Sequence, residues 1–119
     1  MAELTRADVI TIAAVTEHAR LSGVDLSGLD LRGVNLAGAD LTRANLAGTD
    51  LTNAYLRGAT LECAVLTGAV LAGANMKEVN LKGASLRGAD LRQAMMQDAN
   101  LFQADLQDAK LEGTKGMGR

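Results

Sequence analysis

The sequence predicts an all-β solenoid of about five square coils, closed at its start by a short capping helix, and three periodic observations carry that prediction. Every fifth residue from 21 to 111 is leucine, except for methionine at 76 and 96. Two residues before this position stands alanine in 14 of 19 cases, the exceptions being Val24, Leu29, Val34, Thr49 and Val79. Two residues after it comes glycine in 11 of 19.

A period of five fits neither regular element. On an α-helix the leucines would wander around the axis, and no face could be buried. Recurrent glycine would also cost a helix roughly 1 kcal/mol at each site relative to alanine. A flat strand fails because five is odd, so each unit would turn its leucine to the opposite face. The pattern works if each unit forms one side of a square. Alanine and leucine, two apart, then point inward from a short extended segment. The next two residues turn the corner, where glycine supplies the positive φ of a type II turn. Four units close a coil of twenty residues, and residue n stacks on residue n+20 at a strand spacing of about 4.8 Å. Burying one leucine contributes roughly 1.5–3 kcal/mol. Seventeen of them build a core without aromatic anchors; the chain has no Trp, one Phe and one Tyr.

Residues 1–18 break the pattern. Thr5-Arg6-Ala7-Asp8 resembles a capping box, with a carboxylate at the favourable end of a helix. The apolar run Val9 to Val15 follows, ending near His18. This short helix is expected to cap the open start of the solenoid, which would otherwise expose unpaired backbone. The β-helix is expected over 19–113 and a flexible tail over 114–119. The C-terminal coil end therefore reads as uncapped, a place for self-association such as a two-fold homodimer.

Composition limits the chemistry. The chain has 119 residues, 12 basic and 14 acidic, with net charge −2. That balance argues against a nucleic-acid binder with a clustered basic face. One cysteine, Cys63, excludes an intramolecular disulfide and fits a reducing compartment. The first residues lack the basic start and long apolar run of a signal peptide, and no stretch is long and apolar enough for a membrane span. A cytoplasmic protein is expected, without cofactor, metal or small-molecule substrate. Cys63 has no nearby His or Lys to activate it. His18, the one histidine, reads as structural, and one Cys with one His cannot form the usual four-ligand zinc site. Nothing points to catalysis, and the expected partner is another protein.

Outward residues carry whatever recognition exists. Stacking by twenty puts Asp30, Asp50 and Asp90 in one column, interrupted by Val70. That is either an acidic stripe or a set of local backbone acceptors at the corners. Lys77, Lys82, Arg87 and Arg92 form a basic belt around the fourth coil, which faces four directions and reads as solvated surface. Val65 and Val70 replace the usual polar residue, and with Thr60, Thr67 and Ala72 they give a mildly apolar spot on adjoining faces. Tyr55 and Met95 share a column on either side of Asn75, with Phe102 round the next corner. Exposed aromatic and Met side chains are the favoured anchors of protein contacts. The candidate contact residues are thus Tyr55, Val65, Val70, Met95 and Phe102.

The run Ala39-Asp-Leu-Thr-Arg-Ala-Asn-Leu-Ala-Gly48 resembles the pentapeptide-repeat family, whose unit is Ala-(Asp/Asn)-Leu-x-x, and the resemblance covers about 95 residues. It implies a right-handed quadrilateral β-helix. It does not imply one function, because members include topoisomerase-protecting proteins and parts of secretion machinery. Members of the first kind resemble B-form DNA, occupy the DNA site of gyrase and protect it from quinolones. Here the central residue is never Phe, the rod is short, and residues 19–113 hold 11 acids against 9 bases, a poor imitation of phosphate. The reading is a non-enzymatic structural or protein-interaction module. A gyrase-binding DNA mimic and an accessory module of a bacterial secretion apparatus are the alternatives.

Overall fold

The computed structural model describes residues 4–15 and 18–117. It is a right-handed quadrilateral β-helix preceded by one helix, α1 (Arg6–Val15), and measures 35 × 26 × 22 Å. Parallel pairing runs from Arg20↔Asp40 to Met95↔Lys115, always twenty residues apart. One residue per side makes the pair, because the chain turns again after three extended residues.

The unit Ala39-Asp40-Leu41-Thr42-Arg43 shows why the fold is self-sufficient. Its five backbone N–H groups all find acceptors, as buried backbone requires. Ala39 N donates across the preceding corner to Leu36 O (3.0 Å), and Asp40 N donates back one coil to Ala19 O (2.8 Å). Leu41 N and Arg43 N donate forward to Thr60 O (2.7 Å) and Glu62 O (2.9 Å). The fifth donor, Thr42 N, is taken by the side-chain Oδ1 of Asp40 at 3.1 Å. Where Asp or Asn precedes the leucine, its side chain thus satisfies the one donor that the ladder leaves over. The same bond recurs at Asp25, Asp30, Asn35, Asn45 and Asp50. It appears again at Asn75, Asn80, Asp90, Asn100 and Asp105.

The corners are stricter than their composition. All of them from residue 23 to residue 113 have positive φ, including eight without glycine: Arg43, Asn53, Cys63, Glu78, Gln93, Asp98, Gln103 and Asp108, at 58–64°. An L residue held there costs about 1 kcal/mol. Inside, every leucine of the column from Leu21 to Leu91 is buried, with Met76 and Met96 in the same column. Thr49 replaces the inward alanine and is fully buried. Its Oγ1 donates to Leu26 O at 2.9 Å, so no polar atom is orphaned.

The two ends differ. At the start, the capping box forms reciprocally: Thr5 N donates to Asp8 Oδ2 (2.9 Å), and Asp8 N to Thr5 Oγ1 (3.2 Å). Val9 of α1 is fully buried against the first coil, with Ile12 and Ala13 packed beside it. Arg6 reaches over the edge and donates to Asp30 O (2.8 Å) and Arg32 O (3.0 Å). In later coils such carbonyls accept from the preceding coil; here one guanidinium replaces two missing backbone donors.

At the other end the ladder runs beyond the expected boundary at 113. Lys115 N donates to Ala94 O (2.9 Å), and Lys115 O accepts from Met96 N (2.7 Å). Met117 packs against the core. The expected tail, 114–119, therefore contributes Thr114 and Lys115 to the last coil, because both groups of Lys115 find ladder partners. Met1–Glu3, Thr16, Glu17, Gly118 and Arg119 lie outside the described residues.

Candidate interaction surfaces

The leucine column fills the axis of the rod, so chemistry falls to the surface. Among the described residues, no group of three or more His, Cys, Asp or Glu is placed to hold a metal ion, and no helix is long and apolar enough to cross a membrane. Cys63 is a free, exposed corner thiol, and its Sγ lies over Gly83 of the next coil. His18 is exposed, with Nδ1 3.1 Å from Gly38 O.

The acidic column is neutralised in place. Asp30 is bound in bidentate fashion by Arg32 (Nε and Nη2, both 2.9 Å), and Asp90 likewise by Arg92 (2.9 and 2.8 Å). The side-chain and backbone hydrogen bonds from Arg32 hold the Asp30 carboxyl down to about 2. The side-chain bond from Arg92 holds Asp90 to about 2 in the same way. Asp50 accepts from Thr52 Oγ1 (2.6 Å) and has Arg32 Nε 3.8 Å away, while Lys110 ends the column. An arginine two residues after an aspartate points back over the same side, so acid and base share a column instead of forming a stripe. In the basic belt, Arg87 is likewise paired with Asp105.

The five candidate contact residues separate into three places. Tyr55 is 54% exposed and shares a column with Asn75 and the half-buried Met95. Val65 (40% exposed) and the half-buried Val70 lie on adjoining sides of the same coil; Val65 is on the side opposite Tyr55, and Val70 is round one corner from it. Phe102 (62% exposed) belongs to the C-terminal end, where it lines a groove of about 600 Å³ with Met96, Gln97, Leu101 and Met117. In that groove the buried Oε1 of Gln97 has no hydrogen-bond partner among the described residues. Sequence reasoning missed Gln97, because nothing in its unit distinguishes it until the chain passes beneath it.

One feature links the lateral candidates. Tyr55, Thr60, Val65 and Val70 are four consecutive residues of their type, one per side, and none can form the Asx bond. One entire coil therefore replaces hydrated carboxylates and amides with hydroxyl and apolar groups. Next to Val70, the corners Thr52–Asn53, Ala72–Gly73 and Arg92–Gln93 line a shallow cleft of about 450 Å³.

The family model described as pentapeptide repeats matches residues 19–58, 49–88 and 74–113. Among solved structures, a pentapeptide repeat protein (Rfr23) of the cyanobacterium Cyanothece 51142 is 36% identical, with a TM-score of 0.76. The match covers 77% of this chain and 63% of that one. A pentapeptide repeat protein of Nostoc Pcc 7120 is 32% identical over 87% of this chain and 92% of its own, with a TM-score of 0.71. The fluoroquinolone resistance protein QnrB1 is 21% identical over 80% of this chain and 59% of its own, with a TM-score of 0.46, too distant to carry an argument about activity. No curated protein sequence matches.

Proposed function

This chain belongs to the pentapeptide-repeat family, and from that premise we propose that it is a non-enzymatic rod that binds another protein through its lateral surface. The observation that carries this reading is Tyr55. It is the one tyrosine of the chain, more than half exposed, on a flat side where the neighbouring coils carry Asn35 and Asn75. A tyrosine so placed offers apolar area with a hydroxyl at its tip, the preferred make-up of a contact hot spot. Met95, two coils further on, extends the same side.

The pairing of Asp30 and Asp90 with arginine supports protein contact over imitation of a phosphate backbone, since little uncompensated negative charge remains on that column. The free Cys63 supports action in a reducing, cytoplasmic setting.

The experiment is an affinity capture from the source organism using the chain and its Tyr55→Ser/Met95→Ser variant. A partner that is enriched by the native chain and lost by the variant supports the reading. Equal recovery by both removes it. Gyrase supercoiling in the presence of a quinolone provides the control, and no protection is expected.

A further inference from the structure

One side of the rod alternates between two kinds of residue. Its column reads Asn35, Tyr55, Asn75 and Met95, each bridged to the next one coil on, and none of the four is charged. The two asparagines are held in one orientation. Each spends Oδ1 on the backbone N–H two residues later, that of Ala37 at 3.1 Å and that of Lys77 at 3.2 Å. The amide Nδ2 is therefore turned away from the backbone, and neither Nδ2 has an acceptor among the described residues. Tyr55 stands between these donors, more than half exposed, and the half-buried Met95 follows. Beyond Asn35 the side continues onto α1, where Ile10, Ala13 and Ala14 surround a hollow of about 200 Å³ beside the asparagine.

We propose that this side binds an acidic, proline-rich segment of a partner protein, laid along the rod axis as a polyproline II helix. The proposal rests on the reading of Tyr55 as a protein contact and names the chemistry of what it meets. Spacing selects the conformation. Like residues on this side recur every second coil, about 9.6 Å apart, which is twice the strand spacing. A polyproline II helix rises about 3.1 Å per residue and repeats every three, or about 9.3 Å. Carbonyls three residues apart thus reach Asn35 Nδ2 and Asn75 Nδ2 together, while the prolines between them pack on the Tyr55 ring. An extended strand repeats along one edge at about 6.8 Å, and an α-helix has already spent its carbonyls within itself. Polyproline II has no internal hydrogen bonds, so each of its carbonyls is open to a donor. Proline rings suit an exposed tyrosine and an apolar hollow. The fixed φ of proline also lowers the ordering cost of binding.

Charge complementarity makes the segment acidic. The arginines that flank this side are engaged, Arg32 with Asp30, Arg57 with Glu78 and Arg92 with Asp90. Lys77 follows Asn75 by two residues, edges the same side, and forms no ion pair among the described residues. An acidic side chain next to the carbonyl held by Asn75 meets this ammonium, and the uncharged column offers no carboxylate to repel it. About five residues of polyproline II cover the three coil spacings from Asn35 to Met95, about 14 Å.

Isothermal titration of the 119-residue chain with a blocked peptide of three Pro-Pro-Glu repeats tests this. Saturable one-to-one binding is expected. A peptide of three Gly-Ser-Glu repeats, equal in charge but a flexible coil, should not bind. Asn75→Asp keeps an acceptor for Lys77 N, as Asp40 and Asp90 do in their own units, and removes the outward donor. It should weaken binding at least about tenfold, for a neutral peptide of three Pro-Pro-Gln repeats as well. Lys77→Gln should weaken only the glutamate peptide, by about threefold to tenfold. Circular dichroism checks that each variant keeps its fold. Absence of saturable binding, or equal binding of the Gly-Ser-Glu peptide, overturns the proposal. So does an Asn75→Asp variant that binds undiminished, or a loss with Lys77→Gln that is the same for both proline peptides. The lateral reading is scored by its own capture experiment. A partner lost with Tyr55→Ser/Met95→Ser, while the proline peptides fail to bind, leaves that reading standing and overturns this one.

Discussion

Each corner asks one residue to hold a left-handed backbone, and glycine is the inexpensive answer. The corner side chains also lean toward the next coil. A Cβ added at Gly73 would collide with the side chain of Asn53, whereas one added at Gly68 would meet nothing within 4 Å. Gly68→Ala is expected to cost about 1 kcal/mol of backbone strain, and Gly73→Ala about 1 kcal/mol more for the collision. In an Asn53→Gly background the two should become equal, as urea midpoints will show. Charge at the residue scale follows the same local logic. Asp30 and Asp90 have folded pKa values of about 2, below the unfolded value near 3.9. Their stabilisation is therefore fully present above about pH 4 and is lost as pH falls toward 2. Asp90→Asn keeps the acceptor for Arg92 N but removes the ion pair, so the melting temperature should vary less between pH 4 and 2. The Asx bonds were legible in the sequence because they span two residues. The collision at Gly73 was not, because it joins residues twenty apart only after the coil closes.

At the scale of the element, α1 acts as a lid on exposed backbone. Its start was legible: Thr5 and Asp8 lie three apart, and they cap each other as that spacing predicts. Arg6 carried no such signal, since its two acceptors lie 24 and 26 residues downstream. Ten residues make a marginal helix in isolation, so docking through Val9 and Arg6 decides whether it forms. Arg6→Met should leave two edge carbonyls without their donors and destabilise α1 by about 1–3 kcal/mol. The readout is faster hydrogen exchange of the α1 amides with the central coils unchanged. Arg6→Lys should recover only part of the protection, because one ammonium lacks the planar fork that spans two carbonyls.

At the scale of the molecule, each coil touches only its neighbours, so stability sums over coils and is lowest where a coil has a single neighbour. Leu66 is fully buried in the middle of the rod, and Leu111 is 37% exposed in the last coil. Leu66→Ala should cost about 2–5 kcal/mol. Leu111→Ala should cost under about 1 kcal/mol, both measured by urea unfolding. Hydrogen exchange should show the same gradient, with protection highest from Leu46 to Leu86.

The periodic sequence by itself determined the square coil, the twenty-residue stacking and the identity of the core. These follow from the inward pair and the corner, which are properties of five consecutive residues. The tertiary structure alone decided how charge and shape are distributed around the rod. Stacking successive coils set Arg32 against Asp50 as well as against its own Asp30 and sent Phe102 to the end groove. It also made Arg6 a substitute for missing backbone. Local spacing encodes what one unit does to itself; what one coil does to the next depends on closure, which no single unit contains.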